Sequence, residues 1–206
     1  MNIKSLESEL KKRLNFPYSW GRRQTDDWDR KTKFIYQTQD FESLENQCKD
    51  FDEDLKSYAF NRWLNFWSAK AVEDIFVENS LVKKEENPFS KTVDFYISDI
   101  PFDHKSSVFP KQFGKNFEYM INHKKELIEW FYKNQSQQGR KHHKNRLFIV
   151  FFDEKNGDHW KLKAELTLIQ GKIADYLGNF DKSKLVSLNL DSQDILSDVI
   201  WIKLNS

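Results

Sequence analysis

Two carboxylates and a lysine, Asp94, Asp103 and Lys105, lie close together on either side of a turn signal. Folding the chain about Ser98-Asp99 as a two-residue hairpin places Asp94 opposite Asp103, Phe95 opposite Phe102, Ile97 opposite Ile100 and Val93 opposite His104. Successive strand residues point to opposite faces. Val93, Phe95, Ile97, Ile100 and Phe102 then share an apolar face, and Asp94, Asp103 and Lys105 share the other. Directly opposed residues hold their Cβ atoms about 4.5–5.5 Å apart, where like charges repel. Two carboxylates so placed call for a cation between them, and a divalent metal acting on a phosphate is the natural candidate. The competing reading is a pair of solvated acids, with Lys105 as a surface ion-pair partner of little energetic weight. Ser98-Asp99 is also not the favoured Asn-Gly type of hairpin turn.

Periodicity supplies the scaffold. Residues 3–14 read as an amphipathic helix, with Ile3, Leu6, Leu10 and Leu14 at helical spacing. Residues 15–39 read as irregular and residues 40–59 as helical. From Asn61 to Phe76, the residues Trp63, Leu64, Trp67, Ala71, Val72, Ile75 and Phe76 form a broad apolar stripe, with Glu73 at its edge. A first strand is expected between Phe76 and Lys84, followed by the hairpin of residues 91–107. A helix is expected over 116–138, burying Phe117, Met120, Ile121, Leu127, Ile128 and Phe131. The run from Leu147 to Phe152 reads as a central buried strand. Asn156-Gly157 reads as a turn, 159–177 as a helix and 198–204 as a last strand. The expected fold class is α/β, a mixed sheet flanked by helices.

Composition narrows the partners. With 33 basic and 32 acidic residues the net charge is +1, so phosphate binding must rest on local clusters. The 18 Phe and 7 Trp supply a core. The one cysteine, Cys48, excludes an intramolecular disulfide and fits a reducing compartment. The first residues lack the apolar core of a signal peptide, and Leu147 to Phe152 is far short of the roughly 20 residues of a membrane helix. A cytoplasmic protein with no membrane association is expected.

Taken in order, these pieces resemble the PD-(D/E)XK nuclease superfamily, across about residues 61–152. The resemblance implies a restriction-endonuclease-like core of helix, three-stranded meander, helix and strand (αβββαβ). It also implies an acid on the second strand, an acid-x-lysine on the third and a glutamate on the first helix. Asp94, Asp103-His104-Lys105 and Glu73 match these in turn, although Val93 stands where the family places a proline. The chain divides accordingly into an N-terminal helical extension (1–60), a core motif region (61–152) and a C-terminal helix and strand (153–206) of one nuclease-like domain. The resemblance further implies Mg²⁺ or Mn²⁺ held by Asp94, Asp103, Glu73 and His104, the last through its backbone carbonyl. Hard carboxylate oxygens suit such ions, and the resemblance gives Lys105 the task of orienting or deprotonating the attacking water and stabilising charge. The implied activity is phosphodiester hydrolysis in DNA, duplex by preference, with a homodimer as an admissible assembly. A non-catalytic binding or regulatory protein retaining the fold is the alternative.

For nucleic-acid contacts, the basic cluster Arg140, Lys141, His142, Lys144 and Arg146 suits backbone phosphates or base edges. Adjacent His142 and His143 make a poor metal site there. Lys111 and Lys115 are expected near the metal as phosphate contacts. Trp20, Arg22, Arg23 and Trp28 form either a nucleic-acid-gripping arm or a segment packed across the domain.

Overall fold

A computed structural model describes residues 2–20, 26–87, 90, 92–134 and 144–204. The chain forms two compact units, Met1–Asp74 with Lys161–Gln170, and Ile75–Trp160 with Gly171–Ser206.

The first unit is helical. Its α1 (Ile3–Arg13) is capped by the Asn2 side chain, which accepts from the Ser5 amide at 3.0 Å, and it buries Ile3, Leu6 and Leu10. The stretch expected to be irregular contains α2 (Asp26–Lys31) and a 3-10 turn at Lys33–Tyr36. Both are too short to register as periodic. The expected helix over 40–59 is two helices, α3 (Phe41–Gln47) and α4 (Glu53–Val77), because two acceptor side chains start separate turns. Asp40 accepts from the Ser43 amide at 2.7 Å and Asp52 from the Leu55 amide at 2.8 Å. The indole of Trp63 donates to Thr38 O at 2.6 Å and that of Trp67 to Ile35 O at 3.0 Å, tying α4 to the 3-10 turn.

The second unit is built on a six-stranded mixed sheet flanked by helices. Its elements are β1 (Val82–Lys84), β2 (Phe95–Ile97), β3 (Ile100–Val108), α5 (Phe117–Asn122), α6 (Lys124–Asn134) and β4 (Arg146–Phe152). After α7 (Leu166–Gly178), which begins in the first unit, come β5 (Val186–Leu190) and β6 (Gln193–Lys203). Strand order is β1-β2-β3-β4-β6-β5. The meander β1-β2-β3 and the pair β5-β6 are antiparallel, whereas β3-β4 and β4-β6 are parallel. β4 is therefore central, as its apolar run implies, and Leu147 to Phe151 are fully buried. Leu127, Ile128 and Phe131 of α6 pack on Phe148 and Val150 of β4 and on Ile195 and Val199 of β6.

Other sequence expectations shift, among them the helix over 159–177, which is a 3-10 helix (His159–Ala164) followed by α7. The helix over 116–138 breaks at His123 (φ −121°, ψ 46°), which rotates Ile121 into solvent at 46% exposure. Phe76 belongs to α4 rather than to the first strand, and its ring stacks on Phe95 at 4.4 Å. β5 was not anticipated, and β6 starts ahead of the expected residue 198. Their two-residue loop, Asp191-Ser192, has φ of 47° and 64°. No helix among the described residues is long and apolar enough to cross a membrane.

Candidate metal and phosphate site

The site rests on the β2-β3 hairpin. Ser98 (φ 48°) and Asp99 (φ 67°) both occupy the left-handed region, the conformation that matches a two-residue loop to strand twist. Phe95 pairs with Phe102 and Ile97 with Ile100, the expected register, and all four side chains are buried on one face.

At Asp94 the ladder slips by one residue. The Asp94 amide donates to Phe102 O at 2.8 Å, although Phe102 is already the partner of Phe95. Two residues thus face one, as in a β-bulge. The expected pairings of Asp94 with Asp103 and of Val93 with His104 do not form. The His104 amide, which would continue the ladder, instead donates to Asp94 Oδ2 at 2.7 Å. The same oxygen lies 2.8 Å from His104 Nδ1. His104 is buried with its ring against Phe95, so its imidazole positions Asp94 rather than facing Val93. Burial pushes the Asp94 carboxyl up. The His104 ring hydrogen bond, the charges of His104 and Lys105 and the His104 amide outweigh this and hold it below the usual carboxylate range.

Asp103 and Lys105 share a face of β3 as expected, with Lys105 Nζ 2.8 Å from Asp103 Oδ1. Asp103 Oδ2 accepts from Arg146 Nε at 3.2 Å. Each carboxylate of the expected pair therefore already has its own partner, and their repulsion, from which a shared cation was inferred, is relieved within the protein. Asn145 braces the same corner. Its Nδ2 donates to Pro101 O at 3.0 Å, its Oδ1 accepts from the Leu196 amide at 2.8 Å, and its carbonyl accepts from the Asp103 amide at 3.0 Å. The sequence signal for this brace was only two polar residues, Asn145 and Arg146, standing at the mouth of an apolar strand.

Several of the other candidate residues have partners of their own. Glu73 belongs to the first unit, where its carboxylate pairs with Lys70 at 3.1 Å. Arg146, expected on phosphates, is committed to Asp103, and its guanidinium lies over the Tyr132 ring at 5.1 Å. Lys144 is half-buried beside a groove bounded by Pro101, Asn145 and Ile195. Lys111 and Lys115 are not near Asp103. β3 runs on to Val108, about 16 Å further along the strand, and Lys111 acts electrostatically on His159, which stacks on Phe152 at the far end of β4 and lies tilted against Phe109. Lys115 instead sits over the Tyr119 ring at 4.9 Å. Arg140, Lys141 and His142 lie outside the described residues, as do Arg22 and Arg23. Trp20 and Trp28 pack edge-on against Tyr58 at 5.8 and 5.1 Å, which matches the packed-segment reading.

Compared with protein-family models, with curated proteins and with solved structures, the chain matches none of them. Its function has to be read from its own geometry.

Proposed function

We propose that the chain is a metal-dependent nuclease that hydrolyses phosphodiester bonds in DNA, with a restriction-endonuclease-like core. The observation that carries this reading is the place of the first acid. Asp94 Oδ2 lies 2.7 Å from the amide of His104, the residue between Asp103 and Lys105. An acid ahead of the second strand thus meets an acid-x-lysine on the third. The element order supports the same reading: α4, the meander β1-β2-β3, the helices α5 and α6, then β4 parallel to β3.

The donor set suits a hard cation. Asp94 uses Oδ2 on His104, and its Oδ1 accepts no hydrogen bond among the described residues. Asp94 and Asp103 would hold Mg²⁺ or Mn²⁺, and the resemblance adds Glu73 to them. The bound ion would acidify a water and offset charge developing on a phosphoryl oxygen. Lys105, with 43% of its side chain exposed, is free to turn from Asp103 toward a water or a phosphate oxygen. His104 holds Asp94 ionised and oriented. The groove beside Pro101 opens on the face of β3 that carries Asp103, and it offers Lys144 to a backbone phosphate.

A second reading has its own support. Both carboxylates already have protein partners, Asp94 in His104 and Asp103 in Lys105 and Arg146, as in a fold kept for binding or regulation without turnover. Calorimetric titration with Mn²⁺ separates the two. The nuclease reading expects saturable binding that Asp94→Asn and Asp103→Asn each weaken. Absence of binding by the wild-type chain favours the non-catalytic alternative.

A further inference from the structure

Arg146 enters β4 as the backbone partner of Asp103. Its Nε donates to Asp103 Oδ2 while Lys105 takes Oδ1, so both oxygens of the carboxylate face a cation. The two cations differ in depth. The Arg146 side chain is 12% exposed against 43% for Lys105, which makes arginine the fixed partner and lysine the movable one. The guanidinium is packed over Tyr132, whose hydroxyl donates to Lys144 O at 2.6 Å, and the Arg146 carbonyl accepts from Ser197 Oγ at 2.6 Å. Replacing a pair this deep with apolar groups would change stability little, because desolvation offsets the attraction, whereas removing one partner strands the other. What it does supply is a carboxylate held in one orientation.

On the nuclease reading above, we infer that Arg146 is a positioning residue for Asp103. It fixes the carboxylate for catalysis and, as a competing cation, weakens the hold of Asp103 on a divalent ion. Metal affinity is thereby given up for orientation. Arginine suits this role where lysine would not, since its planar fork can hold one oxygen while stacking on a ring.

Two variants test the assignment, with Mn²⁺ titration calorimetry and DNA cleavage in saturating Mg²⁺ measured side by side. Arg146→Ala is expected to bind Mn²⁺ up to about tenfold more tightly, the size of one charge-assisted contact. The same variant is expected to cleave at least about tenfold more slowly at saturating metal, the loss of an interaction needed for catalysis. Arg146→Lys keeps the charge and should restore wild-type metal affinity without restoring turnover. Unchanged or weaker Mn²⁺ binding by Arg146→Ala overturns the inference. So does a reduced salt dependence of DNA affinity with metal binding unaltered, which would make Arg146 a phosphate contact. If Arg146→Ala does not fold, Arg146→Gln, which keeps a donor without charge, is read in the same way. Wild-type protein that neither binds Mn²⁺ nor cleaves DNA overturns the function itself, whereas active wild type with insensitive variants overturns only the role of Arg146.

Discussion

Replacing Asp103 by Asn should destabilise the protein. Sequence reasoning, which set Asp103 against Asp94, points the other way, because removing one of two facing charges relieves repulsion. In the structure Asp103 faces Arg146 and Lys105 instead. Asparagine keeps a neutral acceptor for Arg146 but loses the charge assistance, a difference of about 1–1.5 kcal/mol. The part-buried pair with Lys105, whose ammonium end reaches solvent, adds less than about 1 kcal/mol. The sum is about 2 kcal/mol, and at roughly 2–4 °C per kcal/mol for a chain of this size the melting temperature should fall by about 4–8 °C. Thermal and urea unfolding without divalent metal measure it directly. A melting temperature for Asp103→Asn at or above wild type refutes the ion-pair geometry and restores the repulsion argument.

Other consequences are as specific. Asp99→Gly should stabilise the protein by about 1 kcal/mol, since glycine carries no penalty in the left-handed region. It loses only the exposed Lys83 contact, and an unshifted urea midpoint would count against the turn geometry. The Asp94 carboxyl is held below its ordinary value, so it stabilises the fold above the unfolded carboxylate pKa of about 3.9. That contribution is lost as pH falls through the lower folded value. Asp94→Asn should therefore shrink the stability lost between neutral and acid pH, and an identical loss in both proteins excludes the interaction. Neutralising Lys141 and Lys144 together should lower the salt slope of duplex-DNA affinity by up to roughly two units, at about 0.9 per phosphate contact. An unchanged slope means that neither lysine touches a phosphate.

Much of the scaffold was legible because it follows period and punctuation. The stripe from Trp63 to Phe76 announced α4, and Leu147 to Phe152 announced the central strand. The hairpin register followed from alternation of Phe95, Ile97, Ile100 and Phe102, despite a turn sequence that is not Asn-Gly. Where the reading failed, a side chain had displaced the backbone. The bulge at Asp94 exists because its carboxylate takes the His104 amide that a regular ladder would have used. No pattern of hydrophobicity encodes that substitution. The pairing of Asp103 with Arg146 was equally hidden, since it depends on β4 lying parallel beside β3 in a particular register. β5, by contrast, carried its signal openly in the alternation of Val186, Leu188 and Leu190.

The central claim is that Asp94, Asp103 and Lys105 together perform metal-dependent cleavage of DNA. Incubation of supercoiled plasmid with wild type, Asp94→Asn, Asp103→Asn, Lys105→Arg and Lys105→Ala in Mg²⁺, Mn²⁺ or EDTA tests it most directly. Wild type should nick or linearise the plasmid in either metal and not in EDTA. Every variant should lose that activity by orders of magnitude, while both Lys105 variants keep their DNA affinity in Ca²⁺ within several-fold, since the lysine contact is made chiefly in the transition state. Full turnover by Lys105→Ala, or cleavage that persists in EDTA, contradicts the account.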